Sequence, residues 1–179
     1  KRDVTIVRGE GARIWDDAGK VYIDCVGGHG VAIVGHCNPA VVQAICDQAH
    51  TLITCPEIFY NDVRARLLER LVSIAPAGLE RAMLVNSGTE AVEAALKLAR
   101  LSTGRPGLVA AQRGFHGRTM GALSVTWERQ YREPFEPLIP GVTHVAYGHL
   151  ERMQEAVTEQ TAAVILEVVQ GEGGVHLGD

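Results

Sequence analysis

Ser87, Gly88 and Thr89 stand between a short apolar run, Met83-Leu84-Val85, and a helical pattern over 89–101. All three are small, so nothing shields the free N–H groups of the first helical turn. Free donors and the positive end of a helix dipole together make an anion site. Each exposed charge–dipole contact contributes about 0.3–1 kcal/mol, and ~2 kcal/mol when partly buried. A phosphate taking several amides plus the Ser87 and Thr89 hydroxyls would collect more. By themselves, the same residues read first as Ser87 or Thr89 doing no more than capping a core helix.

Residues 113–121 read Arg-Gly-Phe-His-Gly-Arg-Thr-Met-Gly. Such a glycine-bearing loop can present Phe115 as a face for a flat heteroaromatic group and Arg118 as a bidentate partner for a carboxylate. His116 either joins that site or only supports the loop. Taken singly, Phe115 would be core packing and Arg118 a surface ion pair. A third segment, Glu167-Val168-Val169-Gln170-Gly171-Glu172-Gly173-Gly174, ends an apolar run. The carboxyl end of a parallel strand is where open α/β sheets place their chemistry. Otherwise Glu167 and Glu172 are carboxylates in a solvated turn. The Gly-x-Gly-x-x-Gly fingerprint of dinucleotide folds and the nucleotide P-loop are both missing from the strand–helix turn.

Ser-Gly-Thr-Glu-Ala followed by Glu93, Ala94, Lys97, Ala99 and Arg100 resembles the cofactor-phosphate segment of the class III aminotransferases, and the loop around Phe115 resembles theirs too. The resemblance spans nearly the whole chain. It implies pyridoxal 5'-phosphate as cofactor, with Ser87, Gly88, Thr89, Phe115, His116 and Glu167 around it. Arg118 is then expected to meet a substrate carboxylate, and Glu172 to pair with an arginine from the later half of the family's sequence. Relatives usually carry proline where Val168 stands. A weaker likeness over Asp24–Pro39 implies a substrate entrance and dimer interface, where His29 could tune substrate choice or be an ordinary loop histidine.

The family's Schiff-base lysine and the aspartate partner of the pyridine nitrogen are expected beyond Asp179. Of Lys1, Lys20 and Lys97, none is placed to serve. The chain opens without methionine and closes after a glycine-rich turn, so a fragment is expected, inactive by itself. The resemblance implies a homodimer that moves an ω-amino group, from acetylornithine or a blocked lysine, to 2-oxoglutarate. Arg118 and the run Gly121-Ala122-Leu123-Ser124-Val125-Thr126-Trp127 favour that branch. Ornithine, 4-aminobutyrate or another ω-amino acid stays open, as does aminomutase chemistry on the same fold.

The elements that must position these residues follow from periodicity. Two β-prone runs flank Asp16-Asp17-Ala18-Gly19-Lys20, the signal of a hairpin. Asn38-Pro39 predicts a helix start, N-cap then proline. That helix carries an apolar stripe of Val41, Val42, Ile45, Ala49 and Leu52; a second, over 62–73, buries Val63, Leu67, Leu68, Leu71 and Val72. Beyond Pro76, apolar runs at 83–85, 108–111, 142–147 and 162–169 are mostly separated by helical patterns, as in a mainly parallel α/β sheet. Ala162 to Leu166 reads as a strand covered on both faces, and helix 89–101 as mostly buried. The expected fold is a fold-type I transferase, a mostly parallel sheet with flanking helices. Residues 1–50 would belong to a small N-terminal α+β domain and 51–179 to the first part of the large domain.

The composition, 46% hydrophobic and 21% charged, is that of an ordinary globular chain. A net charge of −4 without a basic stripe argues against nucleic acid. No apolar run reaches the roughly eighteen residues that a spanning helix needs. Cys25, Cys37, Cys46 and Cys55 lie 12, 9 and 9 residues apart, with no Cys-x-x-Cys pair for zinc. They read as reduced thiols in a cytoplasmic protein.

Overall fold

A computed structural model describes residues 3–178; Lys1 and Asp179 lie outside them. The backbone forms two compact units, 1–75 and 76–179. A division near residue 50 would cut the last turn of a helix; the units instead separate at Ala75 and Pro76, where proline closes off another.

In the first unit, β1 (Ile6–Glu10), β2 (Arg13–Asp16) and β3 (Val21–Ile23) form an antiparallel meander. Asp16 closes its second turn. One carboxylate oxygen accepts the Ala18 and Lys20 amides at 3.1 and 2.8 Å, and the other accepts the Tyr22 hydroxyl at 2.7 Å. The glycine-rich stretch that follows contains a one-turn helix, α1 (Gly27–Gly30), where Gly28 and His29 have left-handed φ values of 61° and 59°. Then come α2 (Pro39–Thr51) and α3 (Asp62–Ile74). The Asn38 side chain caps α2 through the Ala40 and Val41 amides, and Asn61 caps α3 through the Arg64 amide. Their apolar stripes are not buried as the periodicity predicts. Ile45 is 62% exposed, and Val63, Leu67 and Leu71 are also open. Helical amphipathicity states that a face needs covering, and nothing among the described residues covers this one.

The second unit holds α4 (Gly88–Thr103), β4 (Gly107–Ala111), α5 (Met120–Val125), α6 (Arg129–Arg132), β5 (Val142–Val145), α7 (Leu150–Ala156) and β6 (Thr161–Ile165). A short antiparallel pair, β7 (Val169–Gln170) and β8 (His176–Leu177), ends it. The sheet is parallel, in the order β5-β4-β6. β4 is its centre: Leu108 is 1% exposed and packs with Leu96, Ala110 and Val125. Hydrophobic burial of this kind contributes about 1.5–3 kcal/mol per large side chain.

Three expectations fail here. Met83-Leu84-Val85 forms no strand, because a strand requires a hydrogen-bonded neighbour and these residues have none among those described. The strand over Ala162–Ile165 lies at a sheet edge and is only partly buried, whereas β4 holds the doubly covered place. Of α4, only Leu96 is fully buried, while Ala91, Ala95 and Leu98 are exposed. The helix turns Val92, Glu93, Leu96 and Arg100 inward, so part of its charged face is a packing face. Among the described residues no helix is long and apolar enough to cross a membrane, and no group of His, Cys, Asp and Glu is arranged to hold a metal ion.

Candidate active site

Parallel pairing brings the carboxyl ends of β4, β5 and β6 to one side of the sheet. The loop carrying Phe115, His116 and Arg118 follows β4, Tyr147 follows β5, and Glu167 follows β6. Glu167 ties two of these loops together: its Oε2 accepts the Phe115 amide at 3.1 Å. The Tyr147 hydroxyl donates to the Glu167 and Val168 carbonyls at 2.7 and 3.1 Å, so the third loop joins them. Gln170, fully buried, donates from Nε2 to the Gln112 carbonyl at 2.9 Å, while its Oε1 finds no partner.

Phe115 is half-buried and meets the Tyr131 ring edge-on, with centroids 6.0 Å apart. The Arg118 guanidinium lies over both rings, 5.9 Å from Phe115 and 5.1 Å from Tyr131. It is exposed and makes no ion pair with any described residue. A guanidinium held by ring faces keeps its N–H edges for a carboxylate. The His116 amide donates to Thr126 Oγ1 at 2.9 Å, and that hydroxyl in turn reaches the Gly117 and Ala122 carbonyls. His116 Nε2 is buried without a partner. Burial first, and the neighbouring His144 second, push its pKa below the usual histidine value, so it is a neutral imidazole.

At the start of α4, Ser87 does cap the helix: its Oγ accepts the Glu90 amide at 3.3 Å, and Glu90 accepts the Asn86 amide at 2.6 Å. The capping function and an anion site are compatible here. The Gly88 and Thr89 amides find no acceptor among the described residues, and the space where a Gly88 Cβ would point is empty. The Thr89 hydroxyl, expected to face the anion, is 2.8 Å from the Thr119 hydroxyl instead. Glu172 is exposed and has no ion-pair partner among the described residues.

Glu93, quoted in the sequence only as part of the phosphate-segment motif, also reaches the Phe115 loop. Its Oε1 accepts the Thr119 hydroxyl at 2.6 Å and the Gly121 and Ala122 amides at 2.7 and 3.1 Å. It thereby caps α5, which has no side-chain cap of its own. Two glycines of the Phe115 loop exist for these close approaches. A Cβ on Gly117, where φ is +129°, would sit 2.7 Å from Thr89 Cβ, and one on Gly121 would sit 2.8 Å from Glu93 Cδ. Their recurrence in the sequence, opposite a charged helix face, was the available signal.

A family model described as Aminotransferase class-III matches residues 1–179, and the chain belongs to that family. It is 55% identical over 178 residues to a [LysW]-aminoadipate semialdehyde transaminase of Deinococcus radiodurans, covering 98% of this chain and 42% of that protein. It is 52% identical to an acetylornithine aminotransferase of Methanopyrus kandleri, covering 97% of this chain and 45% of that one. An ornithine aminotransferase structure from Toxoplasma gondii, with pyridoxal phosphate at partial occupancy in its active site, superimposes with a TM-score of 0.92 at 32% identity. That match covers 99% of this chain and 44% of the Toxoplasma chain. The chain thus spans less than half the length of these relatives. The architecture seen here is accordingly part of the fold-type I arrangement.

Proposed function

We propose that the full-length protein is a pyridoxal-phosphate-dependent aminotransferase that moves the ω-amino group of acetylornithine or a blocked lysine to 2-oxoglutarate, giving a semialdehyde and glutamate. It would serve arginine or lysine biosynthesis as a cytoplasmic homodimer with its active site at the subunit interface. The observation that carries this reading is the pair of acceptor-free amides, Gly88 and Thr89, opening α4. They are joined through Thr89 and Thr119 to the loop that holds Phe115 and Arg118.

The donor set fits the cofactor. Two amides at the positive end of a sixteen-residue helix suit a phosphate dianion. The Ser87 hydroxyl keeps its proton free to donate, because its oxygen only accepts within the cap. Phe115 supplies an aromatic face and His116 a neutral ring nitrogen. Pyridoxal phosphate, when bound, supplies the electron sink for amine chemistry. The residues of this chain bind and orient: the amides hold the phosphate, Phe115 fixes the ring plane, and Arg118 receives a substrate carboxylate. Glu167 holds Phe115 by its backbone, and Glu172 would pair with an arginine from the rest of the protein. The lysine that carries the cofactor and moves the proton would also come from there.

The relatives at 55% and 52% identity favour the blocked-lysine and acetylornithine donors. A second reading, ornithine as donor, rests on the likeness to the Toxoplasma enzyme. Amine-donor profiling of the full-length protein with 2-oxoglutarate tests both. Faster glutamate formation from acetylornithine or a carrier-blocked lysine than from ornithine or 4-aminobutyrate is expected. A preference for either of the latter would replace the first reading, and no glutamate with any amine would remove both.

A further inference from the structure

The contacts of Glu93 fix more than the position of α5. Burial pushes its carboxyl upward, but the Thr119 hydroxyl and the Ala122 and Gly121 amides outweigh that and hold it below the usual glutamate value. An ionised carboxylate only accepts, so Thr119 must donate its single hydroxyl proton to Glu93. With that proton committed, Thr119 can only accept from Thr89 at their 2.8 Å contact. The chain therefore runs in one direction, from the Thr89 hydroxyl to Thr119 and on to the Glu93 carboxylate. Every bond in it joins the first two turns of α4 to the loop after β4, across 26–30 residues of sequence.

We propose that Glu93 is a positioning residue of the cofactor site. It clamps the Phe115–Arg118 loop to the phosphate-binding turn and draws the Thr89 hydroxyl inward, so that an anion there meets the Gly88 and Thr89 amides rather than that hydroxyl. This rests on the proposed function and deepens it. Replacing the carboxylate frees the amides of α5 and releases Thr89 from its fixed orientation. The phosphate turn and the ring-stacking loop then lose their common anchor. Glutamine in place of Glu93 keeps an acceptor oxygen on the same amides, with weaker bonds because the acceptor is neutral.

The experiment is titration of the full-length apoprotein with pyridoxal phosphate, followed by its visible absorbance, alongside thermal unfolding of each apoprotein. Wild type, Glu93→Ala, Glu93→Gln, Thr119→Val and the Glu93→Ala/Thr119→Val double variant are compared. Glu93→Ala is expected to raise the cofactor Kd about 10- to 100-fold, the effect of losing one or two charge-assisted hydrogen bonds. Glu93→Gln should recover most of it, and Thr119→Val should show a smaller loss. The double variant should bind no worse than Glu93→Ala, because both act through one chain of contacts. Wild-type affinity in Glu93→Ala, or losses that simply add in the double variant, would overturn the proposal. Should Glu93→Ala fail to fold, Thr119→Val decides: an unchanged Kd there overturns it. A wild-type protein that takes up no pyridoxal phosphate would sink the proposed function itself, a result that the variants cannot imitate.

Discussion

Within 76–178 the middle strand is sealed by a helix, a neighbouring strand on each side and the run that forms α5, and hydrogen bonds within the same unit tie the loops beyond it. Within 3–75 neither α2 nor α3 buries a single residue fully, and apolar side chains from Val41 to Leu71 remain open. What is well satisfied there is polar and local. Asp24 accepts the Val26 and Gly27 amides at 2.9 Å each and pairs with His36 Nε2 at 2.6 Å. The first unit is thus held by turns and caps, the second by a core. The residues assigned to the cofactor all lie in the second, where neighbouring loops are pinned to one another.

The largest effect that could break this contrast is on the core. Leu108→Ala should cost about 2–5 kcal/mol, as expected for a truncated, fully buried leucine. Denaturant unfolding followed by Trp127 fluorescence would show it, and Ile45→Ala, on the open stripe of α2, should cost far less in the same assay. Equal losses would mean that α2 is sealed in the full-length protein, and the contrast would narrow to this part of it.

The pH dependence should separate the units next. His116 and His144 are both pushed below the usual 6.5 by burial, reinforced by His144 for the former and Arg132 for the latter. Their folded pKa is depressed, so the unfolded chain binds more protons below 6.5. Their contribution to stability is complete above that value and is lost as pH falls through the folded values. Asp24 is held down to about 2, by His36 first and then by the Gly27 and Val26 amides. Its contribution is complete above the ordinary 3.8 and fades only as pH falls towards 2. Single-tryptophan variants keeping Trp127, whose ring is 5.3 Å from that of His144, or Trp15, in β2, report the two units separately. Acidification from pH 7 to 5 should destabilise the Trp127 signal and spare the Trp15 signal. Coincident transitions would contradict this.

The smallest effect concerns the cap. Ser87→Ala should lower stability by about 1 kcal/mol, the usual size of an N-cap loss. In the same variant, loss of a free hydroxyl donor should weaken cofactor binding modestly.

What could be read from the sequence was what depends on near neighbours. Asn38 and Pro39 open α2 because cap and first turn are adjacent, and Ser87 opens α4 for the same reason. The Phe115 loop was legible because its glycines mark close approaches. Met83-Leu84-Val85 was misread because β-propensity describes a residue's fitness for a sheet and not whether a neighbouring strand is present. Glu93 is legible only as part of the phosphate-segment motif, because helical spacing cannot say that its partners stand 26–29 residues later. The orientation of the Thr89 hydroxyl was beyond reach for that reason too, since it depends on a carboxylate two contacts away.

The central claim, that the amides opening α4 grip the cofactor phosphate, is tested most directly by Gly88→Pro. Proline is tolerated at the first helical position and removes only an N–H that has no protein acceptor. Ser87, at φ −152° and ψ 160°, already has the extended backbone that a following proline requires. With helix content and thermal midpoint unchanged, the pyridoxal phosphate Kd of the full-length protein should rise about tenfold or more, as for one lost hydrogen bond to a charged group. A variant that binds the cofactor as tightly as wild type would contradict the assignment.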